Sequence, residues 1–482
     1  MTTLLWFRQD LRIADNPALN AALTFGDPVI PVYIFAPEEE GVWCPGAASR
    51  WWLHHSLLRL SDDLHNHGSR LILRRSSDSL GELLALARHC RATRVLWNRR
   101  YEPLITARDR IIKASLRDEG IEADSWNSAL LHEPWTVKTK SGDPFQVFTP
   151  FWRHCMSLND PQDPLPAPTR LPAPIRWPSS ANLDSLELLP RVDWAGGMRS
   201  VWVPGSSAAH ALLERFLSKS FDGYTALRDQ PGIQGTSRLS PYLHFGEIGP
   251  RQIWHATRQF ALARGQHTTW RGAQFLSEIG WREFAHHLLY HFPRTPEQPL
   301  RPKFARFPWR RNDAALELWT RGGTGYPIVD AGLRELWHTG WMHNRVRMIA
   351  ASFLIKDLLI NWTEGSRWFW DTLVDADLAS NTLGWQWVAG SGADSSPFFR
   401  IFNPTTQASK FDPTGEYVRR WVPEIAKLPN EWIHEPWAAP ATVLDSAGIS
   451  LGNHYPHRLV EHDIARREAL QAYAAVKHAN NG

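Results

Sequence analysis

Over residues 3–126 short apolar runs alternate with stretches of helical period. Leu4-Leu5-Trp6-Phe7, Val29 to Phe35, Leu71-Ile72-Leu73, Val95-Leu96-Trp97 and Ile121 to Trp126 read as strands. Between them Pro17–Thr24, Ala47–Asn66, Leu80–Arg91 and Thr106–Asp118 read as helices, the first with Asn16 as its cap and Pro17 in its first turn. Strand and helix in alternation predict a parallel, doubly wound α/β sheet. Residues 158–208 are rich in proline with little helical period, and they read as a long connection. From about Ala209 onward the patterns are helical, without a convincing strand. The division expected is an α/β domain at 1–135, a connection at 136–208 and an all-α domain at 209–482.

One stretch obeys neither period. From Asp375 to Phe402 no 3.6 or 2.0 repeat separates polar from apolar residues. Asp375 and Asp377 are followed by Asn381, Gly384 and two indoles at alternate positions, Trp385 and Trp387. Carboxylates and an amide suit the polar edge of a planar ligand, indoles suit its faces, and glycine allows close backbone approach. An Asp- and Gly-rich turn between two helices is the plainer alternative.

Other segments carry polar groups at helix positions. In Gly235-Thr236-Ser237-Arg238-Leu239-Ser240-Pro241, Ser240 reads as an N-cap with Pro241 in the first turn, an end suited to an anion. Glu278, Trp281 and Arg282 lie at i, i+3 and i+4 and share one helical face. Val346, Ile349, Ala350, Phe353 and Leu354 form the buried stripe of another helix. Asn344, Arg345 and Met348 fall off that stripe. No Gly-x-Gly-x-x-Gly or Walker loop follows any strand, so no ordinary dinucleotide or NTP site is expected.

Composition narrows the class. With 21% charged and 12% aromatic residues the 482-residue chain is globular, long enough for two or three domains. Its 26 tryptophans exceed ordinary usage and must mostly be core. A net charge of only +4 allows a local basic face for nucleic acid without requiring one. Cys44, Cys90 and Cys155 fit neither a disulfide framework nor a metal site, which favours a reducing cytoplasm. Lys356 and Asp357 interrupt the longest apolar run, so no membrane span and no signal peptide are expected.

The run Asp375-x-Asp377-x-Ala379-x-Asn381-x-x-x-Trp385-x-Trp387, with Phe399-Arg400-Ile401-Phe402-Asn403-Pro404 and Lys410-Phe411-Asp412, resembles the flavin-binding core of the DNA photolyase and cryptochrome family. Trp6-Phe7-Arg8-x-Asp10-Leu11-Arg12-x-x-Asp15-Asn16 resembles the family's opening signature, and the likeness runs to about Pro423. It implies a photolyase of the cyclobutane pyrimidine dimer type, class I or III, with FAD and an antenna chromophore. The Asn-Glu pair of many folate-binding members is replaced by Leu104-Ile105. Trp51-Trp52-Leu53-His54-His55-Ser56 and Trp97-Asn98-Arg99-Arg100-Tyr101 resemble the class III branch, so the antenna stays open between methenyltetrahydrofolate and a deazaflavin. The alternative for Trp51, Trp52 and His55 is a helix face packed on the sheet.

The resemblance implies roles residue by residue. Tyr224, Thr236, Ser237, Arg238, Leu239, Ser240, Phe275, Arg282, Arg347, Asp375, Asp377 and Asn381 are expected to hold FAD, with Arg347 paired to Asp375 and Asn381 at flavin N5. Arg228, Glu278, Trp281, Asn344, Arg345, Met348, Trp387 and Gln407 are expected at damaged double-stranded DNA. In that reading Arg345 reaches a flanking phosphate, and burial beside indoles raises Glu278. Trp385, Trp362 and Trp309 match an electron relay. His343-Asn344 stands where (6-4) photolyases carry a His-His pair, which disfavours that chemistry. A signalling cryptochrome is the competing reading. It is disfavoured by Asn381, where plant-type members carry Asp, and by the helical pattern of Leu459 to Val476 where signalling members often have a disordered tail. A DASH-type cryptochrome is weakened around Trp385-Gln386-Trp387. No metal is expected, and the protein is expected to be a monomer.

Overall fold

The computed structural model describes residues 1–478. Five strands, β1 (Thr2–Phe7), β2 (Val29–Phe35), β3 (Ile72–Arg75), β4 (Ala92–Asn98) and β5 (Glu122–Trp126), form one sheet in the order β3-β2-β1-β4-β5. Every neighbouring pair is parallel, with Leu4 opposite both Ile30 and Val95. Four helices connect the strands: α1 (Pro17–Thr24), α2 (Ala47–Asn66), α3 (Ser79–Cys90) and α4 (Pro103–Asp118). The predicted doubly wound half is therefore present, and Asn16 caps α1 by accepting from Leu19 N–H.

Alternation along the strands divides the core. Leu5 and Phe7 pack with Ala18, Leu19 and Ala22 of α1, with Trp51, Trp52 and Leu57 of α2, and with helices of the second half. Leu4 and Trp6 face the other way, onto Leu83 and Leu86 of α3 and Ile112 and Leu116 of α4. Helices on both faces explain why the strands read as continuous apolar runs. Trp51 and Trp52 are 2% and 0% exposed, so these indoles belong to a helix face packed on the sheet.

The stretch 158–208 carries the short helix Gly196–Val201, a 3-10 turn at Leu183–Leu186 and the start of the helix Ser206–Lys219. Just before it, α5 (Phe148–Ser157) packs on the helix Gln274–His291. Beyond Ala209 the described residues add no strand to the sheet. The charges that interrupt the apolar run at Lys356 and Asp357 lie in a wide π-helical turn, Phe353–Asp357, and are buried. Lys356 Nζ donates to Arg400 O at 2.8 Å, and Asp357 Oδ1 lies 2.5 Å from His462 Nδ1. These bonds offset the burial of the two charges in an apolar helix core, with Asp357 Oδ2 left without a partner among the described residues. No described helix is long and apolar enough to cross a membrane.

The two halves meet across buried polar groups. Arg12, 1% exposed, donates to Gly246 O at 2.8 Å and to Ser128 Oγ at 2.7 Å. Glu247, fully buried, accepts from Ser56 Oγ at 2.6 Å and from Trp52 Nε1 at 3.1 Å. The opening signature thus works as part of an interdomain clasp.

Burial pushes the Glu247 carboxyl up to about 8, against those two hydrogen bonds. A carboxyl raised in the folded state holds a proton that the unfolded chain releases near pH 4.5, so stability falls as pH climbs from there to about 8. Glu247→Gln cannot titrate and keeps an acceptor. Its melting temperature relative to the parent should rise progressively between pH 5 and pH 8, a difference that thermal melts across this range would measure. A constant difference would mean that Glu247 does not titrate there.

Candidate active site

A cavity of about 500 Å³ opens between the helices Gln274–His291, Asn344–Ser352 and Leu378–Ala389. Two of these helices begin with a side-chain cap. Asp377 caps Leu378–Ala389 by accepting from Ser380 N–H at 2.7 Å. His343 caps Asn344–Ser352 through Nδ1, which accepts from Arg345 N–H at 3.2 Å. The predicted stripe of that helix is buried, with Val346 and Ala350 at 0% and Ile349 at 1%. Its other side turns Asn344, Arg345, Arg347 and Met348 to the cavity.

The remaining lining is largely the set expected from the sequence: Tyr224, Arg228, Ser237, Leu239, Ser240, Phe275, Glu278, Trp281, Arg282, Asp375, Asp377 and Trp387. Gly384 lines it as well, and a Cβ built there meets nothing within 4 Å, so the backbone is open to the cavity. Thr236, Arg238, Asn381, Gln407 and the three relay indoles are not among the lining residues. Arg238 lies at φ +54° in the turn before Ser240, its guanidinium over Trp202 and Trp341 at 4.3 and 4.7 Å. Gln407 sits on the separate helix Pro404–Phe411.

Ser240 does not cap its helix. The helix Ser240–His244 starts at Ser240 itself, the preceding residue is Leu239, and no side chain caps it. Pro241 takes the second helical position, where a missing N–H is harmless, and the first-turn donors are left without a side-chain partner.

Ion pairs set the electrostatics. Arg347 Nη2 donates to both oxygens of Asp375, at 3.1 and 2.8 Å, as the sequence predicts. Arg228 pairs with Glu278, which also accepts from Gln274 Nε2 at 2.8 Å. Glu278 is 28% exposed and salt-bridged, so it is not the carboxyl buried among indoles that was expected. Arg345 likewise does not stand free for a phosphate: it pairs with Asp229 at 2.9 Å and lies 4.3 Å over the Phe411 ring. Burial alone would raise Asp377, but His286, His244 and Arg282 outweigh it and hold that carboxyl well below the usual carboxylate range. Burial drives His343 down to about 4, which keeps it a neutral cap and not a proton carrier near neutral pH.

Asn381 turns its amide nitrogen away from the cavity. Nδ2 donates to Ser366 O at 3.1 Å and Ser366 Oγ at 3.0 Å, which leaves Oδ1 as the group able to accept. Trp385 and Trp362 are both 2% exposed, whereas Trp309 is only partly buried, beside Phe307 at 4.3 Å. Trp385 also meets Trp319 edge-on at 6.3 Å.

Several groups at the site escaped the sequence reading. Phe148 stacks on Trp281 at 3.8 Å and 9°, and its N–H donates to Asp394 Oδ2 at 2.9 Å. His244 and Ser380 line the cavity. His244 Nδ1 is buried and stands 4.0 Å from Asp377 Oδ2. His286 has no sequence signal, because it reaches Asp377 only through tertiary packing. A second cavity, about 290 Å³, lies between the halves and is lined by Trp43, Glu102, Leu104, Ile105, Arg294 and Trp370 among others.

The comparisons agree with this geometry. The family model described as DNA photolyase matches residues 3–170, and that described as the FAD binding domain of DNA photolyase matches residues 275–475. The chain is 50% identical over 475 residues to a deoxyribodipyrimidine photo-lyase of Agrobacterium fabrum, covering 98% of each. It is 42% identical to cryptochrome-2 of Arabidopsis thaliana, over 99% of this chain and 79% of that one. The solved structure of a bacterial class III photolyase from Agrobacterium tumefaciens superposes with a TM-score of 0.95 at 50% identity, over 99% of this chain and 98% of that one. The chain therefore belongs to the DNA photolyase and cryptochrome family, with the FAD-binding domain that defines it.

Proposed function

We propose that this protein repairs cyclobutane pyrimidine dimers in double-stranded DNA with light, using FAD. The single observation that carries the reading is the cavity itself. It joins an apolar wall, Trp281 and Trp387, to a polar floor of Asp375, Arg347 and the open Gly384 backbone. Its volume is in the range of ordinary cofactor clefts.

The residues present suit the flavin nucleotide. The uncapped turn at Ser240, with Ser237 beside it, offers donors for the diphosphate. Asp375 and Arg347 would offer an acceptor and a donor for the ring edge, and Asn381, with Nδ2 taken by Ser366, would have Oδ1 to offer a protonated ring nitrogen. When bound in reduced form, the flavin supplies the photochemistry, giving one electron to the dimer and receiving it back after the cyclobutane ring opens.

The chain's own part is to hold, orient and keep dry. A dimer turned out of the duplex loses little stacking, which lowers the cost of flipping at damage. Trp281 and Trp387 wall the flipped bases, and such stacking contributes about 1–3 kcal/mol per base. Phe148, stacked on Trp281, keeps that indole from turning. Glu278 accepts from a base N–H once Arg228 shifts toward a phosphate. Trp385, Trp362 and Trp309 carry an electron between the site and the surface. The cavity between the halves, with Leu104 and Ile105 on its wall, is the place for an antenna, methenyltetrahydrofolate or a deazaflavin. The free thiols of Cys44, Cys90 and Cys155 support a place in the reducing cytoplasm, and we propose that the protein is a monomer.

Pre-reduced protein illuminated with duplexes that each carry one defined lesion should restore a cyclobutane thymine dimer. Restoration of a (6-4) product alone would reverse the substrate assignment, and restoration of neither would move the protein to the signalling class.

Phe in place of Trp309, Trp362 or Trp385 should slow photoreduction of the oxidised protein yet spare repair by chemically reduced protein. Parent rates in all three variants would remove the relay.

Asn381→Asp should make fully reduced flavin harder to accumulate under blue light, because a carboxylate opposes negative charge on the ring. An absorption time course reads this, and an unchanged yield would take Asn381 out of that role.

A further inference from the structure

The two indoles that wall the cavity stand on separate elements, Trp281 on the helix Gln274–His291 and Trp387 on the helix Leu378–Ala389. One short turn, residues 390–396, touches the supports of both. On the side of Trp387 it closes the helix. Gly390 stands at φ +73°, where glycine is unstrained, and its N–H donates to Trp387 O at 3.3 Å. Ser391 and Gly392 donate their N–H groups to Gln386 O at 3.1 and 3.2 Å, and Ser396 N–H returns to Trp387 O at 3.1 Å.

On the side of Trp281 the contact passes through α5. The N-cap position of α5 is held by Val147, whose side chain offers no acceptor. Asp394 supplies the missing cap from 246 residues away, Oδ2 accepting from Phe148 N–H at 2.9 Å. Phe148, the first residue of α5, lies on Trp281 with ring centroids 3.8 Å apart and planes 9° apart. Trp152, one turn on, is within 10° of the Phe148 plane. It also packs on Gly280, where an added Cβ would fall 2.6 Å from its ring, so α5 lies close along the helix of Trp281. Ala393 packs in the same apolar cluster as Phe148 and Trp281. Asp394 itself stands at φ +44°, a region that a residue with a Cβ enters at a cost. Glycine would fit that backbone with less strain, and the carboxylate is what glycine lacks.

We infer that Asp394 is a positioning residue for lesion recognition: by capping α5 it ties Phe148, and through it the Trp281 wall, to the turn that ends the helix of Trp387. The inference rests on the DNA-repair reading above, in which those two indoles hold the flipped bases. Two flat walls hold a rigid pair of joined pyrimidines only when their separation and tilt match it. A gap of about 0.5–1 Å already forfeits a quarter to a half of each atomic contact. Without the cap, α5 keeps its apolar packing, but nothing fixes the end that bears Phe148 against the second wall.

The test uses the full chain with FAD and measures, in the dark, binding to two short duplexes that differ only in one cyclobutane thymine dimer. The readout is the ratio of the two affinities. Asp394→Asn keeps an acceptor for Phe148 N–H, and Asp394→Gly keeps the turn without one. Both lose the charge equally, so the difference between them reads the cap alone. Asp394→Asn should stay within about twofold of the parent ratio, and Asp394→Gly should fall roughly tenfold below it, the scale of one aromatic contact. Phe148→Leu keeps apolar bulk without the flat ring and should cost about the same. The double variant Asp394→Gly/Phe148→Leu should lose no more than either alone, because both act through one ring. Equal ratios in Asp394→Asn and Asp394→Gly would overturn the assignment, as would losses that add in the double variant. Should Asp394→Gly fail to hold flavin, Phe148→Leu decides: a parent ratio there overturns the assignment as well. Failure of the repair reading is seen separately, in a parent that binds damaged and undamaged duplexes alike.

Discussion

The carboxylate of Asp377 holds the site together. It caps the helix Leu378–Ala389, stands 3.4 Å from His286 Nε2 and faces His244 and Arg282. Three elements distant in sequence are thus referred to one partly buried charge. That helix then carries Asn381, Gly384, Trp385, Gln386 and Trp387, so its starting point sets the position of almost every group around the cavity. A buried charge is costly unless it is compensated, and here the compensation comes from the other helices that line the site.

The seam between the halves follows the same rule. Arg12 and Glu247 are as buried as any leucine, and each hydrogen-bonds to partners across the interface. Apolar packing of Trp52 against Trp202, Tyr242 and Phe245 supplies the area, and the polar groups supply the register. An interface of this kind resists sliding, because any shift leaves a donor or acceptor unpaired. The cavity between the halves keeps its shape for that reason.

Charge is distributed in two ways around the site. Within the cavity, arginines face carboxylates, so a ligand meets preset hydrogen-bond geometry without a large net field. Outside it, on the strip after Leu300, Arg301, Lys303 and Arg306 have no ion-pair partner among the described residues. The first arrangement suits a cofactor and a specific lesion.

Much of this was legible in the chain. The alternating runs determine the parallel sheet, because a strand covered on both faces must be apolar on both, and every predicted strand lies in it. The residues from Asp375 to Trp387 break periodicity because ligand chemistry there overrides packing, and most of the predicted lining does reach the cavity. Tertiary structure alone decided which partner each charge takes. Arg345 has the composition of a phosphate contact, yet the fold sets Asp229 beside it. Asn381 has two hydrogen-bonding ends, and Ser366 claims one. Ser240 looks like a cap, but the helix begins at that residue and not after it. Local sequence fixes a residue's chemistry and the face on which it stands. Its protonation and its free valence depend on neighbours brought in from other elements of the fold, and no local pattern carries them.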